Sequence, residues 1–188
     1  MILYPTETIY GLGVNALDDG EVDVLFVLKG RDERKTVSWL VRDIEDIRLY
    51  AEVSDRTVKI ASRFLPGPLT LVLPAKDTVP TSRQAEDGTV GFRISSDPIA
   101  QKLISDFWNK HQAPLTCTSA NVSGAQSEKT PDKIIEQFQQ HHPTFRGFDE
   151  VIDDGERNGL ASTIVKIIGE EITIIREGSI SAADILST

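Results

Sequence analysis

The sequence contains few of the residues that build disulfides and metal sites. Its 188 residues include one cysteine, Cys117, and three histidines. A single cysteine excludes an internal disulfide, and no histidine stands in a C-x-x-C or H-E-x-x-H pattern, so no zinc motif is present. We therefore expect a protein of the reducing cytoplasm.

Long apolar runs are also missing. No stretch of 18 consecutive apolar residues occurs, and the first residues do not combine a basic segment with an apolar one. A transmembrane helix requires the former and a signal peptide the latter. We therefore expect neither feature, and no membrane partner.

Positive charge is in short supply, with 20 Lys and Arg against 29 Asp and Glu, for a net charge of −9. This balance favours solubility and counts against a surface that is basic throughout, but it leaves room for a local basic site. The length, with 39% hydrophobic residues, suits one domain with a substantial core.

Helical and strand-like patterns alternate along the chain, with no internal repeat and no long linker. They predict a single α/β domain with a twisted, mixed, mostly open sheet flanked by helices. The expected helices cover residues 22–30, 43–53, 54–65, 97–111 and 130–142, with Ser54, Asp97 and Thr130 as N-caps and Gly30 as a C-cap. A first strand begins at residue 2 and runs toward Thr8, and further strands cover 36–41, 69–75, 89–95, 114–120, 150–155, 161–168 and 171–178.

The stretch "YPTETIYGLG" at residues 4–13 places hydroxyls, a carboxylate and a phenol at the end of the first strand. One interpretation is a turn in which Gly11 and Gly13 supply positive φ. The other is a ligand cleft, because ligands of open α/β sheets bind beyond the carboxyl ends of strands. The cleft interpretation predicts a ligand contact at Thr8, nearer the strand end, and a mainly structural role for Thr6.

A second polar cluster, "LKGRDERK" at residues 28–35, mixes four basic with two acidic residues. It is either a solvated turn with local ion pairs or a phosphate site, because a lysine charge and an arginine fork together suit a polyphosphate. Lys29 and Arg31 are the candidate phosphate ligands. We expect both in a polar segment that contributes little to the core.

The stretch "TCTSANVSG" at residues 116–124 is either a Ser/Asn turn or an anion site, since small hydroxyls and tight-turn amides bind anions. Two arginines lie in apolar strands, Arg93 in "GTVGFRIS" and Arg176 in "ITIIREG". An arginine that points inward from such a strand requires an anionic partner, which a carboxylate or phosphate ligand would supply.

Six motifs occur in an order that is characteristic of one family. They are "YPTETIYGLG", the K-x-R pair Lys29 and Arg31, "PGPLT" at 66–70, "VGFR" at 90–93, the S-x-N pair Ser119 and Asn121, and "STIV" at 162–165 followed by Arg176. With them the sequence resembles the YrdC-like threonylcarbamoyl-adenylate synthases, and the resemblance extends over nearly all of residues 1–188, taken as one domain.

The resemblance implies a nucleotidyltransferase that makes threonylcarbamoyl-AMP and pyrophosphate from L-threonine, bicarbonate or CO₂, and ATP, with Mg²⁺ accompanying the ATP. The product would pass to the tRNA threonylcarbamoyl-transferase complex for the t⁶A modification at position 37 of tRNA. No metal ligand in the protein is implied.

The resemblance also carries site residues over, position by position. The catalytic set is Lys29, Arg31, Ser119 and Asn121. The threonine-binding set is Thr8, Leu40, Arg93, Cys117 and Ser162. The ATP-binding set is Arg31, Lys35, Thr89, Ser119, Ser127 and Arg176. Leu40 and Lys35 differ in type from the family's commoner residues, so Leu40 could contribute only through its backbone or shape.

The sequence departs from the family pattern in three places. Asp32 stands where the family commonly has a proline after K-x-R. The family's N-terminal helix, and the additional C-terminal domain of its longer members, are expected to be absent.

Two other functions stay open. One is a non-catalytic double-stranded RNA-binding factor in translation or ribosome assembly, with direct contact to tRNA or double-stranded RNA. The negative net charge counts against it, because phosphate contacts dominate nucleic-acid affinity. The other is a carbamoyl-phosphate-processing domain, because YrdC-like domains also occur in hydrogenase-maturation proteins, whose acylphosphatase and zinc-finger segments this sequence lacks.

Overall fold

The computed structural model describes residues 1–32 and 36–188. In this part of the chain nine strands form one sheet, in the order β7-β1-β2-β6-β3-β5-β4-β8-β9. The strands are β1 (Ile2–Tyr4), β2 (Gly11–Gly13), β3 (Ser38–Leu40), β4 (Leu69–Pro74), β5 (Thr89–Arg93), β6 (Leu115–Ser119), β7 (Glu150–Val151), β8 (Thr163–Ile168) and β9 (Glu171–Arg176). Three parallel pairs, β1 with β7, β3 with β5 and β4 with β8, stand among antiparallel neighbours. The predicted mixed, open sheet is confirmed.

The helices are α1 (Asp19–Lys29), α2 (Ile44–Tyr50), α3 (Asp55–Phe64), α4 (Pro98–His111), α5 (Pro131–His141) and α6 (Ala182–Leu186), with a 3₁₀ turn at Thr81–Arg83. The side chains of Ser54 and Asp97 cap α3 and α4 by accepting backbone N–H bonds, as predicted. Thr130 precedes α5 but makes no capping side-chain bond. None of the described helices has both the length and the apolar character needed to cross a membrane.

Strand alternation separates a packed face of the sheet from an open one. Trp39 and Phe92 are neighbours in β3 and β5, and both are buried in the largest core cluster. The Trp39 ring packs edge-on against Tyr50 at 5.2 Å and against Phe92 at 5.8 Å between ring centroids. Ser38 and Gly91 directly precede them. By strand alternation these two residues face the opposite side of the sheet, where they border a cavity.

The first strand is shorter than the sequence predicts. It ends at Tyr4, and residues 5–10 form the connection to β2. Gly11 and Gly13 lie in β2 and not in a positive-φ turn, so the turn interpretation of these glycines is wrong. A Cβ on either glycine would lie 3.0 Å from the ring of Tyr4. The glycines are therefore needed because the Tyr4 ring covers them.

Two predictions near the C-terminus also change. The strand expected over residues 150–155 is reduced to Glu150–Val151, and α6 has no counterpart among the predicted elements. The hairpin predicted between the last two strands is confirmed, with Gly169 at φ 59° in its turn.

Candidate active site

A cavity of about 420 Å³ opens on the face of the sheet opposite the main core. Its floor consists of small residues on four neighbouring strands, Gly11, Cys117, Ser38 and Gly91. A Cβ at Gly91 would lie 2.9 Å from Ser38 Oγ, so a larger residue there would have to displace Ser38. The small floor residues leave room for a ligand to lie across the strands.

Arg93 forms one end of the cavity. It is only 6% exposed, although it borders the cavity. Its Nη2 donates to Thr8 Oγ1 at 2.6 Å, whereas its buried Nε has no hydrogen-bond partner among the described residues. Because a buried donor without an acceptor is costly, this arginine is suited to receive an anionic ligand group.

Thr6 and Thr8 hold each other in the connection after β1. Their hydroxyl oxygens are 2.9 Å apart, and Thr6 Oγ1 donates to the carbonyl of Ile9 at 2.6 Å. Both threonines are 1% exposed, but Thr6 borders the cavity, whereas Thr8 does not border it and contacts Arg93, which does. The chain leaves the strand at Tyr4, so the alternation assumed from an extended strand does not apply, and the ligand contact at Thr8 stays a prediction.

Next to Arg93, a second cation and two hydroxyls converge. Thr70, the register partner of Arg93, has its hydroxyl 2.9 Å from that of Ser162. Arg176 donates to the Ser162 carbonyl at 2.7 Å from Nη2. Burial, and then the positive charge of Arg93, lower the pKa of Arg176. Two arginines facing a common space create a strongly anion-attracting region.

The K-x-R and S-x-N segments meet, as predicted. The Lys29 ammonium donates to the backbone carbonyls of Ser119 and Asn121, the second at 2.7 Å. Lys29 is 1% exposed and does not border the cavity, so the expectation that it contributes little to the core is wrong. Burial, and then the nearby charge of Arg31, lower the pKa of Lys29 to about 7.

The turn after β6 is fixed by hydrogen bonds within it. Ser119 Oγ donates to Asn121 Oδ1 at 2.5 Å, and Asn121 Nδ2 donates to the carbonyls of Val122 and Ala125 at 3.0 and 2.7 Å. Ser119 borders the cavity, whereas Asn121 is buried beneath it. Asn121 therefore shapes the turn that presents Ser119.

Arg31 reaches the cavity because α1 ends just before it. Gly30 adopts the left-handed conformation at φ 57°, the predicted C-cap, and the Arg31 N–H returns to the Phe26 carbonyl at 2.9 Å. Arg31 donates to the Thr36 carbonyl at 2.6 Å, and burial lowers its pKa. Lys35, predicted as an ATP contact, lies outside the described residues.

The far end of the cavity contains a group that sequence reasoning missed. Asp87 accepts hydrogen bonds from the Thr89 hydroxyl at 2.6 Å and from the Lys166 ammonium. The Lys166 bond, followed by those from Thr89, lowers the pKa of Asp87. Among the described residues that border the cavity, Asp87 is the sole carboxylate. Lys166 lies four residues after Ser162 and on the same side of a strand. This spacing could have predicted that Lys166 lies near the site.

Most predicted site residues come together around this one cavity. Those that border it are Arg31, Thr89, Arg93, Cys117, Ser119, Ser127, Ser162 and Arg176. Leu40 does not: it is fully buried and packs with Tyr4, Ala100, Ile104 and Leu115. It lies two residues beyond Ser38 in β3, where α4 covers the sheet, so direct contact with a ligand is not available to its side chain.

Comparison with known proteins identifies relatives over the whole fold. A family model for Sua5, YciO and YrdC, described as "Telomere recombination", matches residues 1–178. A Methanocaldococcus jannaschii protein, provisionally named a threonylcarbamoyl-AMP synthase, is 38% identical over 96% of this chain and 80% of its own length. A threonylcarbamoyl-AMP synthase of Pyrococcus abyssi is 33% identical over 98% of this chain. The chain spans 52% of that longer protein.

Solved structures agree. The crystal structure of P. abyssi Sua5 complexed with L-threonine superimposes with a TM-score of 0.86 and 32% identity, covering 99% of this chain and 52% of that one. Escherichia coli YciO, at a TM-score of 0.80 and 23% identity over 96% of this chain and 84% of that one, shares the fold. Fold, motif order and relatives coincide, and this chain belongs to the Sua5/YciO/YrdC family.

Proposed function

We propose that this protein is a threonylcarbamoyl-AMP synthase, which joins L-threonine, bicarbonate or CO₂, and ATP, and releases pyrophosphate. The observation that carries the proposal is the division of one cavity into two anion-binding regions. Arg93, with its unpartnered Nε, lies at one. Arg31 and Ser119 lie at the other, beside the turn that Lys29 supports. An amino acid and a nucleotide triphosphate can therefore be held in the same cavity.

In this arrangement the threonine carboxylate binds Arg93, since a guanidinium matches a carboxylate in geometry and charge. The paired hydroxyls of Thr70 and Ser162, 2.9 Å apart, lie beside that position and offer hydrogen bonds to the rest of the amino acid. Arg31 and Ser119 bind the phosphates, and Arg176 stands close enough to Arg93 to attract the negatively charged groups that meet between them.

The chemistry requires positioning more than a protein nucleophile. The threonine amine adds to CO₂ and loses a proton to give a carbamate. A carbamate oxygen then attacks the α-phosphorus of ATP, and the bond to the β-phosphate oxygen breaks, releasing pyrophosphate. The side chains hold the reactants together, offset the negative charge and shield the labile carbamate from water. Cys117, on the floor of the cavity, has no covalent role in this scheme.

Magnesium is proposed here only as the ion that accompanies ATP. The described residues contain no group of three or more His, Cys, Asp or Glu that could hold a metal ion. Asp87, the carboxylate that borders the cavity, is already bonded to Lys166 and Thr89. We propose that Mg²⁺ arrives bound to the ATP phosphates, as is usual for this ion.

The product implies a downstream partner. Threonylcarbamoyl-AMP is a reactive mixed anhydride, so it must be consumed by an enzyme that transfers the threonylcarbamoyl group, which we propose to be the tRNA threonylcarbamoyl-transferase complex. The reaction itself requires no contact with tRNA. The net charge of −9 favours this interpretation over a non-catalytic RNA-binding factor.

A pyrophosphate assay tests the proposal. The purified protein, incubated with ATP, bicarbonate and L-threonine, should release pyrophosphate only when all three are present. L-Valine, which has the shape of threonine without its hydroxyl, is the matched control and should support much less release. Binding of double-stranded RNA without any threonine-dependent pyrophosphate would favour the alternative function.

A further inference from the structure

Glu7 contacts the guanidinium of Arg93 but has no part in the mechanism above. Its Oε1 lies 3.1 Å from Arg93 Nη2, and the two side chains are 16% and 7% exposed. Arg93 borders the cavity, whereas Glu7 does not. Glu7 is therefore placed to act on a ligand through Arg93 and not by touching it.

The Glu7 carboxylate is itself held in place. Its Oε2 accepts a hydrogen bond from Ser95 Oγ, which in turn accepts from the Asp97 backbone N–H at 3.2 Å. Ser95 is 1% exposed and Asp97 is the N-cap of α4. Glu7 Oε1 has no hydrogen-bond partner among the described residues, so it acts on Arg93 by charge at close range.

Threonine hydroxyls contact the same Nη2 nitrogen of Arg93. Nη2 donates to Thr8 Oγ1 at 2.6 Å and lies 3.4 Å from Thr6 Oγ1. A guanidinium is planar and rigid, so the contacts that hold Nη2 restrict the directions of its other N–H groups. The position of Nη2 therefore influences the direction of the Nε group. Nε has no hydrogen-bond partner in the described structure.

We infer that Glu7 is a positioning residue for amino-acid binding: with Ser95 behind it, it holds Arg93 so that the free donors of the guanidinium meet the substrate carboxylate. The inference rests on the proposed function, because it takes the ligand of Arg93 to be threonine. Charge alone predicts the opposite effect. A negative neighbour that did no more than weaken the pull of Arg93 would, once removed, tighten threonine binding.

Titrations of L-threonine and of ATP into four proteins separate these cases. They are the wild type, Glu7→Gln, Ser95→Ala and, as a matched control, Glu45→Gln, which alters an exposed carboxylate paired with Arg48. Glu7→Gln should weaken threonine binding by about tenfold or more, as expected for a lost charge-assisted contact, with ATP affinity changed by less than about twofold. Ser95→Ala should weaken threonine binding in the same direction but less, and Glu45→Gln should match the wild type.

Turnover gives the second measurement. The KM for threonine should rise in Glu7→Gln while kcat at saturating threonine stays within about threefold, because a misdirected Arg93 affects binding and not the later attack on ATP. If Glu7→Gln fails to fold, Ser95→Ala carries the same test, since it keeps the Glu7 charge and removes the hydroxyl that supports it; the melting temperature then shows the cost of the Asp97 N–H bond that is lost as well.

Several results would overturn the inference. They are an unchanged or tighter threonine affinity in Glu7→Gln, or parallel losses of threonine and ATP affinity together with a lower melting temperature. A wild-type protein that binds no threonine would instead contradict the proposed function, and the inference would fail with it. The wild-type titration thus distinguishes the two failures.

Discussion

The ammonium nitrogen of Lys29 lies 2.7 Å from the backbone carbonyl oxygen of Asn121 and also donates to the carbonyl of Ser119. The contact ties the end of α1 to the turn after β6. The two residues of the K-x-R motif therefore lie in different places. Lys29 supports the turn from inside the protein, and Arg31 borders the cavity.

Lys29→Met should lower the free energy of unfolding by about 1 to 3 kcal/mol, because the carbonyl oxygens of Ser119 and Asn121 lose their donor while the side-chain volume is kept. This revises the expectation that the segment contributes little to the core. Urea denaturation measures the change. Lys102→Met, at a lysine exposed on α4 and paired with Asp106, is the matched control and should be close to neutral. A neutral Lys29→Met would show that the contact does not stabilise the fold.

Lys29 should also make stability depend on pH. Its pKa is lowered from 10.5 to about 7 in the folded protein, so between these values the unfolded chain binds more protons than the folded one. Stability contributed by this residue therefore rises as pH increases from 7 toward 10 and is flat below 7. The difference in unfolding free energy between wild type and Lys29→Met should grow between pH 7 and pH 9.5. A constant difference would contradict the lowered pKa.

Thr8→Val and Thr6→Val should have different consequences. Thr8→Val removes the 2.6 Å acceptor of Arg93 Nη2, so threonine affinity should fall by about 1 to 3 kcal/mol with a small change in melting temperature. Thr6 also donates to the Ile9 carbonyl, so Thr6→Val should lower both the affinity and the melting temperature. Calorimetry and thermal unfolding measure the two. Equal effects on melting temperature would show that the Ile9 bond does not anchor the connection.

Gly91→Ala tests the floor of the cavity. The added Cβ would lie 2.9 Å from Ser38 Oγ, so Ser38 has to move and the space across the strands narrows. We expect weaker binding of both threonine and ATP, with an overpacking cost of about 1 to 3 kcal/mol. Gly20→Ala in α1, where the nearest atom is 3.4 Å away, is the matched control and should bind as the wild type does. Unchanged binding in Gly91→Ala would mean that the ligands do not cross this strand.

Local signals in the sequence were sufficient to predict much of the fold and a set of residues most of which border one cavity. The Gly30 cap, after which Arg31 reaches the cavity, was readable from residue type and neighbours, and so was the placement of Arg93 and Arg176 on strands that border the cavity. Such features depend on a few adjacent residues, whose preferences are strong.

The sequence could not show which of the predicted residues touch the cavity. Lys29 and Leu40 are buried because segments distant in sequence cover them, the turn at 119–121 for the first and α4 for the second. The need for glycine at Gly11 comes from the Tyr4 ring, which the register of β1 and β2 places against it. Each of these facts depends on pairing between elements and not on a local pattern.

Incorporation of radiolabelled bicarbonate would show whether this cavity joins threonine, CO₂ and ATP. The wild type should incorporate label into an adenylate only when both threonine and ATP are present. Arg93→Ala should require more threonine, by about 2 to 4 kcal/mol in apparent affinity, while Arg48→Ala, at an exposed ion pair, should not. The account would be contradicted if the wild type incorporated no threonine-dependent label, or if Arg93→Ala kept the wild-type dependence on threonine.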